Sequence, residues 1–225
     1  NLPRDKSKWG GTFTLVGNSG AGKTRWVVDL CLRYLRATKP HARRTIIWVS
    51  PEWEIDKTIK PLKDKRFSFN VIGIDVSEQE LRKTGMDSAS FYKTKIDDLI
   101  EKHGEHALIV LDDFMDAAQG LVPFLRRAYN TMLRTARHRG TGVFSLQHTY
   151  AGHRATSQSL QSNRYVVFFP RSQQQRCISF LKDHLGLGQP EAKVIVKRFA
   201  SLDRSMIVQM HSPVCIFNKS YLLLI

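Results

Sequence analysis

The run Gly-Asn-Ser-Gly-Ala-Gly-Lys-Thr, from Gly17 to Thr24, is the feature that most constrains the fold of this chain. A β-rich segment, residues 12–16, leads into it, and apolar residues at helical spacing follow it. Glycines in such a run let the backbone wrap around phosphate groups and direct N–H groups at them, which larger side chains would block. The order strand, glycine loop, amphipathic helix therefore predicts a phosphate-binding loop (P-loop) in an α/β protein.

The sequence predicts a role for each part of this loop. Lys23 is expected to contact the β- and γ-phosphates of a nucleotide, and the Thr24 hydroxyl to ligate Mg²⁺. The helix that starts there adds the attraction of its N-terminal dipole for the anion. The predicted nucleotide-binding residues are Gly17, Asn18, Ser19, Gly20, Ala21, Gly22, Lys23, Thr24 and Arg25.

Two adjacent aspartates follow the clearest strand pattern in the chain. Residues 107–111 are continuously apolar, which is typical of a strand buried on both faces, and Asp112 and Asp113 come next. Parallel strands bring their carboxyl ends to one edge of a sheet, where the P-loop is also expected. Asp112 is thus a candidate Mg²⁺ ligand, and Asp113 a candidate to orient or deprotonate the attacking water. Without the P-loop, this pair would more often be a solvated turn.

Two other strand ends carry candidate catalytic residues. Gln147 ends the strand predicted at 143–146, where its amide would bridge the γ-phosphate and the lytic water; the alternative is an ordinary polar strand end. Arg164 precedes the strand predicted at 165–169 and is a candidate to neutralise phosphoryl charge across a subunit interface; the alternative is a surface arginine. Its rivals for that role are Arg137, Arg139 and Arg154.

The charge balance points to a polyanionic partner. With 35 Lys and Arg against 20 Asp and Glu, the net charge is +15, which favours nucleic acid first and an anionic membrane surface second. The arginine-bearing face of the helix that starts near Pro123, and the loop 148–162 with its His148, His153 and Arg154, are candidates to track a phosphate backbone. The alternative is a solvated charged face. For Trp48 and Trp53 we favour core packing over base stacking.

Composition excludes other classes. No stretch approaches the roughly 20 apolar residues that span a bilayer, and the first residues lack a signal-peptide core, so no stable membrane insertion is expected. Cys31, Cys177 and Cys215 lack metal-ligand spacing and are interpreted as buried thiols.

We predict one three-layer α/β domain over residues 1–225, with a mostly parallel central sheet. Residues 1–10 form a basic tail, and about 171–225 form C-terminal helices and a β-hairpin. A strand at 45–49 lies between Lys23 and Asp112, which suits an additional-strand P-loop ATPase better than a compact nucleotide kinase.

In chain order, these residues resemble the FtsK–HerA superfamily. The features that carry the resemblance are the P-loop, the strand 108–111 with Asp112-Asp113, the Ala136-Arg137-His138 segment before Gln147, and Arg164. The small single-domain form is most similar to the genome-packaging ATPases of poxvirus-like and double-jelly-roll DNA viruses. The resemblance covers roughly residues 10–170.

The resemblance implies a RecA-like core that assembles into a ring of five or six subunits, binds ATP and Mg²⁺ between neighbours and threads double-stranded DNA. The Walker-type lysine and threonine correspond to Lys23 and Thr24, and the metal-linked aspartate to Asp112. The sensor glutamine corresponds to Gln147 and the trans-acting arginine to Arg164. Many relatives carry Glu where Asp113 stands; the shorter carboxylate can still act through a small backbone shift or a second water.

The expected function is ATP-driven translocation of double-stranded DNA, packaging a viral genome into a capsid. A capsid vertex or portal protein is a further expected partner, and host cytoplasm, nucleus or virion the expected location. A DNA-segregation or conjugation motor is the nearest alternative. A small-molecule P-loop kinase and a non-catalytic DNA-binding or capsid-adaptor protein are more remote; the glutamine-ended strand argues against the first and the intact motif set against the second.

Overall fold

The computed structural model describes residues 11–36, 45–67, 70–136, 138–148 and 163–225. The chain divides into two compact units. The first unit is Thr24–Leu146 with the described residues before Phe13, and the second unit is Phe13–Lys23 with Gln147–Ile225. The glycine loop up to Lys23 therefore belongs to the second unit, and the two aspartates belong to the first.

The first unit is built on four parallel strands. They are β2 (Ile46–Ser50), β3 (Val71–Asp75), β4 (Leu108–Asp112) and β5 (Gly142–Gln147), in the order β3-β2-β4-β5. Every residue of β2 and β4 is buried, as expected for strands covered on both faces. The strand predicted before Asp112-Asp113 is confirmed.

Helices complete the first unit. They are α1 (Lys23–Arg36), α2 (Glu78–Thr84), α3 (Ser88–Tyr92), α4 (Asp98–His103) and α5 (Val122–Thr135), with a π-helical stretch at Lys93–Asp97. Gly85 ends α2 with φ 66°, the left-handed conformation that glycine commonly adopts after a helix. On α5, Leu125, Tyr129, Met132 and Leu133 are buried, while Arg126, Arg127 and Arg134 are exposed.

The second unit combines one parallel strand pair with an antiparallel extension. Strand β1 (Gly11–Val16) pairs parallel with β6 (Tyr165–Phe168); β7 (Met206–Gln209), β8 (Cys215–Phe217) and β9 (Leu222–Leu224) follow in antiparallel pairing. Helices α6 (Gln174–Leu185) and α7 (Gln189–Leu202) pack their apolar faces with these strands, around Phe168, Phe180 and Phe199. The predicted mixed α/β fold with mostly parallel strands and a C-terminal hairpin is confirmed, and β9 adds a strand to that hairpin.

The register of β1, β6 and β7 decides which residues surround the glycine loop. Val16 lies beside Phe168, and Phe168 lies beside Met206. Because β7 runs antiparallel to β6, the residues before Met206 reach the same edge as the residues after Val16. Arg164 precedes β6 and therefore lies at the opposite edge of this unit.

The three cysteines are free and buried, as predicted. Burial raises the pKa of Cys177 to about 12 and raises the pKa of Cys31 further. These thiols stay protonated and serve as core residues. Among the residues that the structure describes, no helix is long and apolar enough to cross a membrane.

Both tryptophans singled out from the sequence pack inside the first unit. Trp48 is fully buried on β2, and Trp53 is 8% exposed. The Trp53 ring lies directly over Gly73 of β3, so that a Cβ added there would overlap the ring atoms. The ammonium of Lys63 lies 4.8 Å from the centre of the same ring. Core packing is therefore the use of these side chains, and Gly73 is the residue that makes room for Trp53.

We predict that Gly73→Ala lowers the free energy of unfolding by about 1–3 kcal/mol, because the added methyl group displaces the Trp53 ring. Urea unfolding followed by circular dichroism measures this change. In a Trp53→Ala background the same substitution should cost less than about 0.5 kcal/mol, since its steric partner has gone. Equal costs in the two backgrounds would contradict this packing.

Candidate functional site

The backbone of the glycine loop has the shape that phosphate binding requires. Strand β1 ends at Val16 and α1 begins at Lys23, so the predicted order of strand, loop and helix is confirmed. Gly20 and Gly22 have φ values of 75° and 99°, which side chains other than glycine adopt only with strain. Residues 18–20 are exposed, and the N–H of Ala21 donates to the carbonyl of Asn18 at 3.1 Å. The loop is thus a tight turn whose outer surface remains open to a ligand.

Hydrogen bonds hold the first residues of this loop in place. The N–H of Gly17 donates to the carbonyl oxygen of Gln147 at 3.2 Å. The side-chain amide of Asn18 donates to the carbonyl of Ser172 at 3.4 Å, and its backbone N–H lies 2.7 Å from the amide oxygen of Gln173. A Cβ at Gly17 would lie only 3.2 Å from the Phe169 ring. The loop is therefore fixed to the chain that follows β5 and β6.

Lys23 is folded back onto its own loop. It is 5% exposed, and its Nζ donates to the carbonyl of Gly17 at 2.9 Å. Nδ1 of His148 lies 3.3 Å from the same Nζ. A phosphate group offers an ammonium stronger, charge-assisted hydrogen bonds than a carbonyl does. The lysine is therefore positioned at the loop with partners that a phosphate can replace.

His148 is a site residue whose place the sequence analysis missed. The sequence makes His148 a candidate to track a phosphate backbone, which stays a prediction, and the structure places its ring beside Lys23. Arg176 donates to the carbonyl of His148 at 3.4 Å, which ties this residue to α6. Its position directly after Gln147, at a strand end, was the available signal.

The remaining phosphate-loop candidates lie in the first turn of α1. Thr24 is half-buried. Arg25 is exposed, and its guanidinium forms an ion pair with Asp29 one helical turn later, at 3.2 Å. Arg25 thus already has a side-chain partner on its own helix.

The two aspartates occupy the end of β4 in the first unit. Asp112 is the last residue of the strand and is only 4% exposed. Asp113 has φ 44° and ψ 38°, the left-handed region that residues other than glycine seldom adopt. Its N–H donates to the carbonyl of Leu146 at 3.3 Å, and its carbonyl accepts from Asp116 at 2.8 Å. Such strained residues cluster at functional sites, and Asp112 is too buried to belong to a solvated turn.

The arginine candidates for action across an interface occupy different places. Arg164 is exposed, and its guanidinium lies 5.5 Å from the centre of the Tyr165 ring. It stands at the opposite end of β6 from the glycine loop, about 16 Å away along the strand at the usual rise per residue. Arg164 is therefore remote from the loop of its own chain. Arg139 is exposed in the turn after α5, and Arg137 and Arg154 lie outside the described residues, as do His153 and residues 1–10.

Together, the strand order and the glycine loop show that this chain has a P-loop NTPase fold. No protein-family model and no curated protein matches the chain. Solved structures do match. Their sequence identity to this chain is low, so the matches bear on the fold alone.

Three similar structures extend this comparison. The DNA-packaging ATPase B204 of Sulfolobus turreted icosahedral virus superposes with a TM-score of 0.55 at 13% identity, covering 94% of this chain and 98% of that one. The genome-packaging NTPase B204 of Sulfolobus turreted icosahedral virus 2, in complex with ATP-gammaS, gives 0.52 at 13% identity with the same coverage. The cytoplasmic domain of the type VII secretion ATPase EccC of Thermomonospora curvata gives 0.53 at 14% identity, covering 95% of this chain and 26% of that one. The fold expected from the FtsK–HerA resemblance is confirmed.

We predict that the backbone strain at Asp113 lowers the free energy of unfolding by a measurable amount. Asp113→Gly should be more stable than Asp113→Ala by about 1–2 kcal/mol, because only glycine adopts the left-handed conformation without steric cost. The matched control is Asn130, an exposed residue inside helix α5, where alanine should instead be better than glycine by about 1 kcal/mol. Urea midpoints of the four variants test this, and alanine being preferred at both positions would contradict the strain.

Proposed function

We propose that this protein is an ATP-driven motor that translocates double-stranded DNA, and specifically that it packages a viral genome. One observation carries the proposal. A complete P-loop, with Lys23 buried in it, lies on a fold shared over nearly the whole chain with the genome-packaging NTPase B204.

The nucleotide chemistry follows from the residues at the strand ends. The N–H groups of Gly20 and Gly22 and the ammonium of Lys23 bind the phosphates, with the lysine exchanging the carbonyl of Gly17 for phosphate oxygens. Thr24 and Asp112 supply the hydroxyl and carboxylate oxygens that Mg²⁺ prefers. Bound there, Mg²⁺ would neutralise charge on the β- and γ-phosphates.

Asp113 and Gln147 are the proposed residues for the water side of the reaction. Asp113 accepts a proton from the attacking water, and the Gln147 amide holds that water against the γ-phosphate. Gln147 also accepts a hydrogen bond from Gly17 through its carbonyl oxygen. Its backbone therefore responds to any shift of the loop when a nucleotide binds, which suits a sensor.

DNA binding in this proposal is electrostatic and independent of base sequence. The net charge of +15 and the exposed arginines of α5, Arg126, Arg127 and Arg134, fit a phosphate backbone. ATP hydrolysis moves such basic surfaces along the DNA backbone. Each phosphoryl transfer is thereby converted into a step of DNA movement. We propose that the protein acts as a ring of five or six subunits in host cytoplasm, nucleus or virion, against a capsid vertex or portal protein.

A motor for another polymer is the second candidate, and a specific observation favours it. The secretion ATPase EccC is as similar in fold as the packaging ATPases are. A DNA-segregation or conjugation motor differs only in its biological setting. The motor for another polymer shares the nucleotide chemistry with these DNA motors and differs from them in that DNA should not change its rate of hydrolysis.

We predict that long double-stranded DNA stimulates ATP hydrolysis and that the stimulation fades as salt rises, because phosphate contacts release counterions. Steady-state phosphate release, measured with and without DNA from about 50 to 200 mM salt, tests this. Lys23→Ala is the background control and should not hydrolyse ATP in either condition. Hydrolysis that DNA leaves unchanged would reject the DNA motor and favour the second candidate.

We predict that Arg164 acts on the nucleotide of a neighbouring subunit. Arg164→Ala should bind ATP normally yet lose hydrolysis by about 10³-fold or more. Mixing it with Lys23→Ala should restore activity, because some interfaces then combine an intact loop with an intact arginine. Arg139→Ala, the other described candidate, serves as the matched control. If mixing restores nothing under conditions where rings form, the trans role of Arg164 is wrong.

A further inference from the structure

One arginine outside every sequence motif lies beside the glycine loop. Arg204 belongs to the short connection between α7 and β7, in the same unit as the loop up to Lys23. A Cβ built on Gly22 would lie 3.6 Å from Nη1 of this arginine. Gly22 directly precedes the phosphate-binding lysine, so a second cationic group stands next to the loop.

The sheet register explains why an arginine so distant in sequence reaches this place. Phe168 of β6 pairs with Val16 on one side and with Met206 on the other. The glycine loop follows Val16, and Arg204 stands two residues before Met206. Since β7 is antiparallel to both strands, its start must lie at the edge where β1 ends.

The backbone on both sides of Arg204 is held in place. The N–H of Asp203 donates to the carbonyl of Phe199 at 3.1 Å as α7 ends. The carboxylate of Asp203 accepts from the N–H of Arg204 at 2.6 Å. Ser205 is 4% exposed. The exposed Arg204 side chain therefore extends from a fixed base toward the loop.

Other arginines at this edge have identified protein partners. Nε of Arg171 donates to the carbonyl of Ala200 at 2.8 Å, and Nη1 of Arg176 to the carbonyl of His148 at 3.4 Å. Bringing Arg204 and Lys23 to one loop accumulates like charge, which a bound anion would offset. A planar guanidinium suits this task because it can donate two parallel hydrogen bonds to a phosphate.

We propose that Arg204 contacts the phosphate groups of a nucleoside triphosphate bound at the glycine loop of its own protomer. The inference rests on the proposed nucleotide site and adds a residue to it. Arg204 thereby differs from Arg164, whose proposed target is the nucleotide of a neighbour. The attraction between Arg204 and the nucleotide grows with the number of phosphate groups. Arg204 therefore favours binding of a triphosphate over a monophosphate.

Isothermal titration calorimetry with ATP-gammaS and with AMP tests the contact. Arg204→Ala should weaken ATP-gammaS binding about tenfold or more and AMP binding less. Arg204→Lys should recover part of the loss, because it keeps the charge without the planar donor pair. Lys197→Ala, which removes one exposed positive charge from α7, is the matched control and should bind as the wild type does.

The outcomes separate this inference from the proposed function. If the wild type binds ATP-gammaS, Lys23→Ala weakens it and Arg204→Ala does not, the Arg204 inference alone is overturned. If the wild type does not bind, both are overturned. Unchanged thermal melting of Arg204→Ala shows that any loss comes from the site rather than from unfolding.

Subunit mixing tests whether Arg204 acts within its own protomer. Arg204→Ala and Lys23→Ala damage the same pocket, so mixing the two variants should restore no hydrolysis. The mixture of Arg164→Ala with Lys23→Ala is the positive control for exchange between rings. Restored activity in the Arg204 mixture would show that this arginine serves a neighbouring subunit and would overturn the proposal.

Discussion

The pairing of β1 with β6 is the constraint on which the glycine loop, and with it the proposed nucleotide site, depends. A phosphate-binding loop must keep its N–H groups open to solvent, so it can bury little surface of its own, and its shape has to be imposed from its ends. The pairing of Val16 with Phe168, and the hydrogen bond from Gly17 to the carbonyl of Gln147, fix the first end. Helix α1, which begins at Lys23, fixes the other. The buried core around Phe168 and Phe199 then stabilises an exposed loop indirectly.

Each of the two units holds one candidate residue whose arrangement is costly without a ligand. Lys23 is buried against carbonyl groups, and Asp113 has a left-handed backbone. Each arrangement is worse for stability than a simple alternative, a solvated lysine or a glycine. Natural proteins accept such costs at functional sites, because a binding or reacting group must be held ready before the ligand arrives. Each feature therefore favours a functional role for its own residue over an inherited turn.

Local sequence patterns predict several elements of this fold. The glycine run between strand and helix, the apolar strand before Asp112 and the helix that starts near Pro123 depend on neighbours a few residues apart, and the structure confirms all three. The positions of His148 and Arg204 depend instead on strand order and direction. Arg204 approaches Gly22 only because β7 returns antiparallel to β6, and nothing near residue 204 in the sequence signals this. The φ angle of Asp113 is likewise set by its surroundings.

Arg164 and Arg204 lie at opposite edges of the second unit, because β6 and β7 are antiparallel and each arginine precedes one of these strands. Arg204 stands at the glycine-loop edge of the second unit, and Arg164 stands at the other edge. If Arg164 acts on a neighbour, the Arg164 edge of one subunit must face the loop edge of the next. Two different edges then meet at the contact, and a head-to-tail interface of this kind closes into a ring when the rotation between subunits allows it. A head-to-tail ring is therefore one assembly in which the proposed trans role of Arg164 can operate.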